Sequence, residues 1–514
     1  MGNIGPQKSI VLVTVDCLRA DHVGFMGCGK PTTPFLDSLA DASFVFPNAI
    51  VAGAPTYYSF PAILGSRHPL ALGRDVLGLA PDEPSLASVL KQAGYATASF
   101  GAGNPYISSQ FGYEQGFDTF NDFLEGQPAP LEEKMNASVP TGWASRVNRK
   151  LQAVRPALGP LGIVYDELYF RYCQRVTPLA NSLDALRRFP AADVIVDHAS
   201  TWLASIGDKP FFLWLHLMDP HSPYYPKEEA LALMGRGIVT PYRARYLNSY
   251  WNRADLGPAR LARHRDEIVA LYDAGIRWVD VQMARLVETL RASKRWDDCI
   301  FALTADHGEE FLDHGGRYHP PAKLMEELIH VPLLLRVPGS GKKEVAKSPF
   351  SLLHLAPTLL DAVQLPVPSE FQGRSRWDDV QQGTSFDGVA ISECVSGCTN
   401  PFRREGRLGS RVLSIRESRF KLILHFDPPA EKLYDLEADP GENAPLAPTA
   451  QKAVRRRLLE IAREHLQRSS DQRDPRMRLR ARVRDLQLEW TRSFPPRSDT
   501  SASGSHPQSD PRSA

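Results

Sequence analysis

The stretch that most constrains the fold is the apolar run Cys299-Ile300-Phe301-Ala302-Leu303-Thr304-Ala305, which passes without a linker into Asp306-His307-Gly308-Glu309-Glu310. An apolar run of this length bounded by polar residues predicts a short buried strand. Ser9 to Val15 repeats the pattern: a β-branched, apolar run ends at Asp16 and reads as the first central strand of a parallel sheet. Polar side chains at the carboxyl ends of buried strands sit where an open α/β sheet holds its ligands. Carboxylate and imidazole are also donors that a divalent cation accepts. For an isolated Asp-His pair, capping the next helix is the simpler role. Asp16 and Asp306 converge only if their strands are neighbours, and that adjacency is the central expectation for the fold.

At 514 residues the chain has room for one large domain and a smaller companion. Its net charge of +1 gives no global attraction to nucleic acid or anionic membrane, so no nucleic-acid partner is expected. No apolar run approaches the roughly 18 residues of a membrane span. Met1 to Pro6 lacks a signal core, and Pro6 stands where a myristoylation motif needs Ser or Thr. A cytoplasmic chain is therefore predicted. Cys17, Cys28, Cys173, Cys299, Cys394 and Cys398 form no CxxC and have no close His partner in sequence, which predicts neither a zinc site nor a disulfide framework. Cys394 and Cys398 read as two free thiols, with their pairing as the alternative.

Other segments bring further polar residues to element ends. Ala52 to Ser66 is a loop of small residues and Pro leading into a helix just after Thr56. A hydroxyl at a helix N-terminus lies beside free N–H groups and the positive dipole end, which favour an anion there; simple N-capping is the alternative. Tyr95 to Phe100 reads as a strand, and Asn104 follows it as a turn residue beside Pro105. Ala191 to Ile206 reads as a helix and Phe211 to Leu215 as a strand, with His221 a third polar residue after a buried strand. His216 and Asp219 read as loop-orienting residues. Helical spacing from His264 to Ser293 predicts a long helix covering the sheet.

Four segments, Val11 to Gly27, Thr56 to Pro69, Phe211 to Pro226 and Phe301 to Pro332, together resemble the sulfatase family of the alkaline-phosphatase superfamily. Leu352 to Asp361 and Lys432 to Leu436 add weaker matches. The family pattern at the nucleophile is Cys or Ser, a variable residue, Pro, a small hydroxyl residue and Arg, ending about a helix later in Thr-Gly-Arg-Tyr-Pro. Aligning that end with Gly65-Ser66-Arg67-His68-Pro69 puts Thr56 at the nucleophile, with Tyr58 for the Pro and Phe60 for the Arg. Cys17 stands where many members carry a second Asp, and Gly101-Ala102-Gly103-Asn104 replaces the usual Gly-Lys-Trp-His. A formylglycine cannot form at Thr56 by the usual modification, and Thr nucleophiles occur among the related transferases and phosphodiesterases.

The resemblance implies an alkaline-phosphatase-like α/β/α sandwich with a smaller C-terminal antiparallel β-sheet subdomain. Its expected parts are a catalytic domain over 1–369, with an insertion or lid at 121–185, a subdomain over 370–467 and a disordered Arg/Ser/Pro-rich tail over 468–514. Asp16, Asp306, His307 and Thr56 are expected to hold one divalent ion, Mn, Zn or Ca. Thr56 would attack; His221, Lys323 and Asn104 would stabilise the developing charge; His314 and His319 are candidates to protonate the leaving group. The expected substrate is an anionic sulfate or phosphate ester, either a small molecule or one linked to a glycan or lipid. A phosphoryl-group transferase or phosphodiesterase is the first alternative, and a catalytically silent metal-binding protein of the same fold the second.

Overall fold

The computed structural model describes residues 8–74, 76–124, 160–177, 180–235, 237, 239–341, 343–344, 347–384, 388–471, 476, 479–480 and 482–484. Ser9–Val15 is buried at every position. Because side chains alternate between the faces of a strand, this means that both faces of the sheet are covered there. The eight strands of the main sheet, in chain order, are β1 (Ser9–Val15), β2 (Phe44–Val45), β3 (Ala96–Gly101), β4 (Thr119–Asn121), β5 (Phe211–Leu217), β6 (Cys299–Ala305), β7 (Leu333–Arg336) and β8 (Lys343–Glu344). They lie in the order β8-β2-β7-β6-β1-β5-β3-β4. From β6 to β4 neighbouring strands are parallel, and β7 closes on β6 antiparallel.

The expected adjacency holds. Val15 pairs with Ala305 of β6 on one side and Leu217 of β5 on the other. Asp16 and Asp306 therefore leave neighbouring strands at the same level. Helix α1 (Thr56–Gly65) starts near that edge, while α2 (Ala192–Ser205) and α3 (Arg265–Ala292) pack on one another. The apolar stripe of α3, including Ile268, Leu271, Ile276, Val279, Met283, Leu286 and Leu290, is buried in the core, as its helical spacing predicts.

A four-stranded antiparallel sheet, β9 (Val389–Val395), β10 (Arg411–Glu417), β11 (Phe420–Phe426) and β12 (Pro429–Asp435), forms the C-terminal part. Helix α4 (Lys452–Asp471) lays Leu458 and Ala462 onto Leu413, Ile415, Leu422 and Leu433 of that sheet. In β12 only Leu433 to Asp435 is buried. The fold is thus α/β with a C-terminal antiparallel sheet.

All six cysteines are free thiols, Cys394 and Cys398 included. No helix among the described residues is long and apolar enough to cross a membrane. Most of the stretch read as an insertion or lid, and most of the tail read as disordered, lie outside the described residues.

Candidate active site

The ends of β1 and β6 bring two fully buried carboxylates together with an imidazole. His307 Nε2 lies 3.7 Å from Asp16 Oδ1 and 3.5 Å from Asp306 Oδ2. Asp306 Oδ1 accepts from the His307 and Cys17 backbone N–H groups at 2.9 and 3.4 Å, while Oδ2 is buried with no hydrogen-bond partner. His307 Nδ1–H donates to the Gly308 carbonyl at 2.8 Å, which leaves Nε2 as the ring atom facing the carboxylates. A Cβ on Gly308 would meet the Glu327 carbonyl at 1.9 Å, so only glycine lets the chain pass here.

Thr56 completes the group. Its Oγ1 stands 3.1 Å from His307 Nε2. Helix α1 begins at Thr56 itself, with Pro55 in the cap position and no side-chain cap. The N-capping role is therefore not the one this hydroxyl fills. Ser59 is the other hydroxyl in the segment, and it donates to the Gly53 and Asp306 carbonyls at 2.5 and 2.6 Å, a structural role.

Burial alone would raise the Asp16 carboxyl, but the charge of His221, the His216 hydrogen bond and the charge of His307 outweigh it and hold Asp16 well below its ordinary range. Asp306 moves the other way, raised by burial and by the Asp16 charge beside it. Two unlike carboxylates, a free imidazole lone pair, a hydroxyl and an orphaned buried oxygen together make a donor set that a divalent cation fits.

A cleft of about 620 Å³ opens onto Thr56 and is lined also by Asn104, Tyr106, Arg188, His221 and His319. A larger one, about 770 Å³, lies around His68, Arg376 and His465, and none of Asp16, Thr56, Asp306 or His307 lines it. His221 and His319 face each other with ring centroids 5.2 Å apart, and the His319 ring lies 4.5 Å from that of His307. Asn104 donates from Nδ2 to Asp16 Oδ2 at 2.9 Å and accepts from the Tyr106 N–H at 3.0 Å, so it orients the carboxylate.

Two expected residues are not in the cleft. Lys323 Nζ bonds both oxygens of the fully buried Glu310, at 2.7 and 2.8 Å, because that carboxylate needs a cation. His314 spends Nδ1 on Glu327 at 2.7 Å and Nε2 on the Glu442 carbonyl at 3.3 Å. His319, from the same loop, lines the cleft instead. Conversely, His216, read as loop-orienting, sits 3.3 Å from Asp16 Oδ2 and belongs to the site. Asp219 does orient the loop, holding Arg187 at 2.7 Å and the Ala192 N–H at 3.0 Å.

The Sulfatase family profile matches residues 8–365, and the profile described as N-sulphoglucosamine sulphohydrolase, C-terminal, matches residues 317–468. The chain belongs to the sulfatase family. It is a sulfatase-like hydrolase, and enzymes of this family generally bind a divalent metal ion. An arylsulfatase of Clostridium perfringens is 26% identical over 472 residues, covering 85% of this chain and 89% of that one. The phosphonate monoester hydrolase of Agrobacterium radiobacter superposes with a TM-score of 0.62 at 20% identity, over 90% of this chain and 96% of its own. A structure of BT4656 in complex with its substrate D-glucosamine-2-N,6-O-disulfate superposes with the same score, 0.62, at 18% identity, over 91% of this chain and 99% of its own. These likenesses support the alkaline-phosphatase-like fold.

Proposed function

We propose that this sulfatase-family hydrolase cleaves an anionic sulfate or phosphate-type ester by attack of the Thr56 hydroxyl. The observation that carries the reading is the 3.1 Å approach of Thr56 Oγ1 to His307 Nε2 beside the orphaned Asp306 Oδ2. Asp16, Asp306 and His307 would hold one divalent ion, with Thr56 as the fourth ligand. When bound, the ion lowers the pKa of the Thr56 hydroxyl and withdraws charge from the ester oxygens. The donor set of carboxylates and an imidazole favours Mn or Zn over Ca.

The chain's own residues supply the rest. Thr56 stands at the N-terminus of α1, whose dipole favours negative charge at its oxygen. Asn104 and His216 fix Asp16. The anion's charge falls to the face made by His221 and His319, with Arg188 also lining the cleft. The Thr56 hydroxyl gives its proton to water in the cleft and Oγ forms a bond to sulfur or phosphorus; the alcohol oxygen leaves with the bonding pair and takes a proton from water. Water then cleaves the Thr56 ester, releasing the inorganic anion and restoring the hydroxyl. The named substrates of the relatives, a disulfated glucosamine and phosphonate monoesters, bracket the same class.

The test compares wild type with Thr56→Ala and Thr56→Ser on p-nitrophenyl sulfate, p-nitrophenyl phosphate and a phosphodiester. Thr56→Ala should fold and bind metal yet lose turnover by orders of magnitude, and Thr56→Ser should retain part of it. Near-normal turnover by Thr56→Ala at saturating metal overturns the assignment. Metal binding without turnover of any of the three esters by the wild type would favour the silent binding protein.

A further inference from the structure

One part of the site is left over by that mechanism. Cys17 is fully buried and carries φ of +61°, a conformation uncommon for a residue with a Cβ. Its Sγ lies 3.0 Å from Asp16 Oδ1 and 3.4 Å from His319 Nδ1. One ligand atom each from Cys17, His221 and His319 fall within 4.8 Å of one another. His221 donates from Nδ1–H to the Ser222 carbonyl at 2.5 Å, so Nε2 is the ring atom left for a ligand, as in His307.

Behind this trio stands Glu309. It is 0% exposed, both its carboxylate oxygens lack a hydrogen-bond partner, and Oε1 lies 3.4 Å from His319 Nδ1. A buried unpartnered carboxylate demands a cation. Two neighbouring permanent cations are committed elsewhere: Lys323 to Glu310, and the Arg19 side chain to Asp21, Asp313 and the Glu309 carbonyl. Asp16, Asp306 and Glu309 thus bring three buried carboxylates to one spot, against the two positive charges of a single divalent ion. No Lys or Arg among the described residues forms an ion pair with any of the three.

We propose that the cleft takes a second metal ion, of the zinc class, on the Cys17 thiolate and the imidazoles of His221 and His319, with Glu309 as the adjacent counter-charge. The inference rests on the proposed function for its neighbour, the ion on Asp16, Asp306 and His307. A thiolate with two imidazoles selects zinc or cobalt and excludes calcium and magnesium. Binding breaks the S–H bond and releases that proton to solvent, so sulfur is a donor with no redox change. Asp16 Oδ1 stands between the two donor sets, the arrangement by which paired ions share a carboxylate in displacement at phosphorus. His221 and His319 then neutralise the substrate anion through the ion they hold. The other buried cluster, His68 with Glu393 and His465, makes no such demand: Glu393 already accepts from the Leu70 N–H at 2.9 Å and pairs with His465 at 3.1 Å.

The experiment counts zinc by elemental analysis in wild type, Cys17→Ser, His319→Ala and Asp306→Asn, each loaded with zinc and dialysed, with circular dichroism as the check on folding. Cobalt(II) reconstitution is read in parallel for thiolate-to-metal charge transfer in the near ultraviolet. Two ions per wild-type chain, falling to one in Cys17→Ser and in His319→Ala, and a charge-transfer band lost with Cys17, are the expected results. If Cys17→Ser does not fold, His319→Ala and the wild-type band decide. One ion that vanishes in Asp306→Asn, with no thiolate band, overturns the second site and leaves the proposed function standing. One ion with a thiolate band also overturns it, since Cys17 then serves the first ion. One ion that survives Asp306→Asn and is lost with Cys17 and with His319 keeps the trio as a metal site and removes the metal from the proposed function.

Discussion

Asn104 Nδ2 donates to Asp16 Oδ2 at 2.9 Å, inside a pocket where Asp16 is entirely shielded from water. The contact makes Asn104 a residue that aims a ligand. A group that orients a metal ligand is typically worth 10–100-fold in metal affinity. Asn104→Ala is expected to weaken the ion by about tenfold, with turnover recovering as metal is raised. Titration of activity against metal concentration checks this; a loss of turnover that saturating metal does not repair would mean that Asn104 meets the substrate instead.

Lys323 makes the opposite case. Its ammonium neutralises Glu310, which is wholly buried, so removing it strands a charge. Lys323→Met is expected to destabilise the fold by about 3 kcal/mol, the lower range for breaking a buried pair. Turnover of the folded fraction should stay within a few-fold of wild type. Denaturant unfolding beside an assay at low temperature separates the two. A stable Lys323→Met protein with abolished turnover would return this residue to the substrate.

The legible parts of this site were those written in one strand and its end. The β-branched runs before Asp16 and Asp306 announce buried strands and their polar ends announce candidate ligands, while the adjacency of β1 and β6 is a non-local pairing that the pattern only leads one to expect. Within the loop after Asp306, the resemblance points to Lys323, whereas His319 four positions earlier is the residue that lines the cleft. What decides between them is the burial of Glu310, which no local pattern reports. His216 and Cys17 were hidden for another reason. The partners they meet, Asp16 for His216 and His319 for Cys17, are 200 and 302 residues away in sequence.

Asp306→Asn tests the metal centre. The wild-type site holds two buried carboxylates that an ion must balance, and the substitution removes one of them. At a thousandfold excess over its Kd an ion stabilises the folded chain by about 4 kcal/mol. In Asp306→Asn the part of the metal-dependent gain that comes from this ion should largely vanish, while the metal-free protein becomes no less stable than metal-free wild type, because a buried charge is gone. Thermal unfolding with and without chelator measures both effects. An undiminished metal-dependent rise in Tm for the variant removes Asp306 from the ligand set.

Acid stability should report the seam between the sheet of β9 and helix α4. Glu393 on β9 is fully buried, accepts from the Leu70 N–H at 2.9 Å and pairs with His465 of α4 at 3.1 Å, with Arg411 3.8 Å away. Burial would raise its carboxyl, but the His465 hydrogen bond and charge, with that of Arg411, outweigh it and hold the group at about 2, against 4.5 when free. The folded value is the lower one, so the unfolded chain binds more protons in this window. Stability from Glu393 is therefore complete above about 4.5 and is lost as pH falls towards about 2. Its size at neutral pH is on the order of 3 kcal/mol. Glu393→Gln keeps an acceptor for Leu70 but loses the charge, so it should be less stable at neutral pH and show a flatter decline into acid. Denaturant unfolding across that pH range should find the two proteins converging at the acid end. Parallel curves for wild type and variant would show that the Glu393–His465 contact carries no net charge stabilisation.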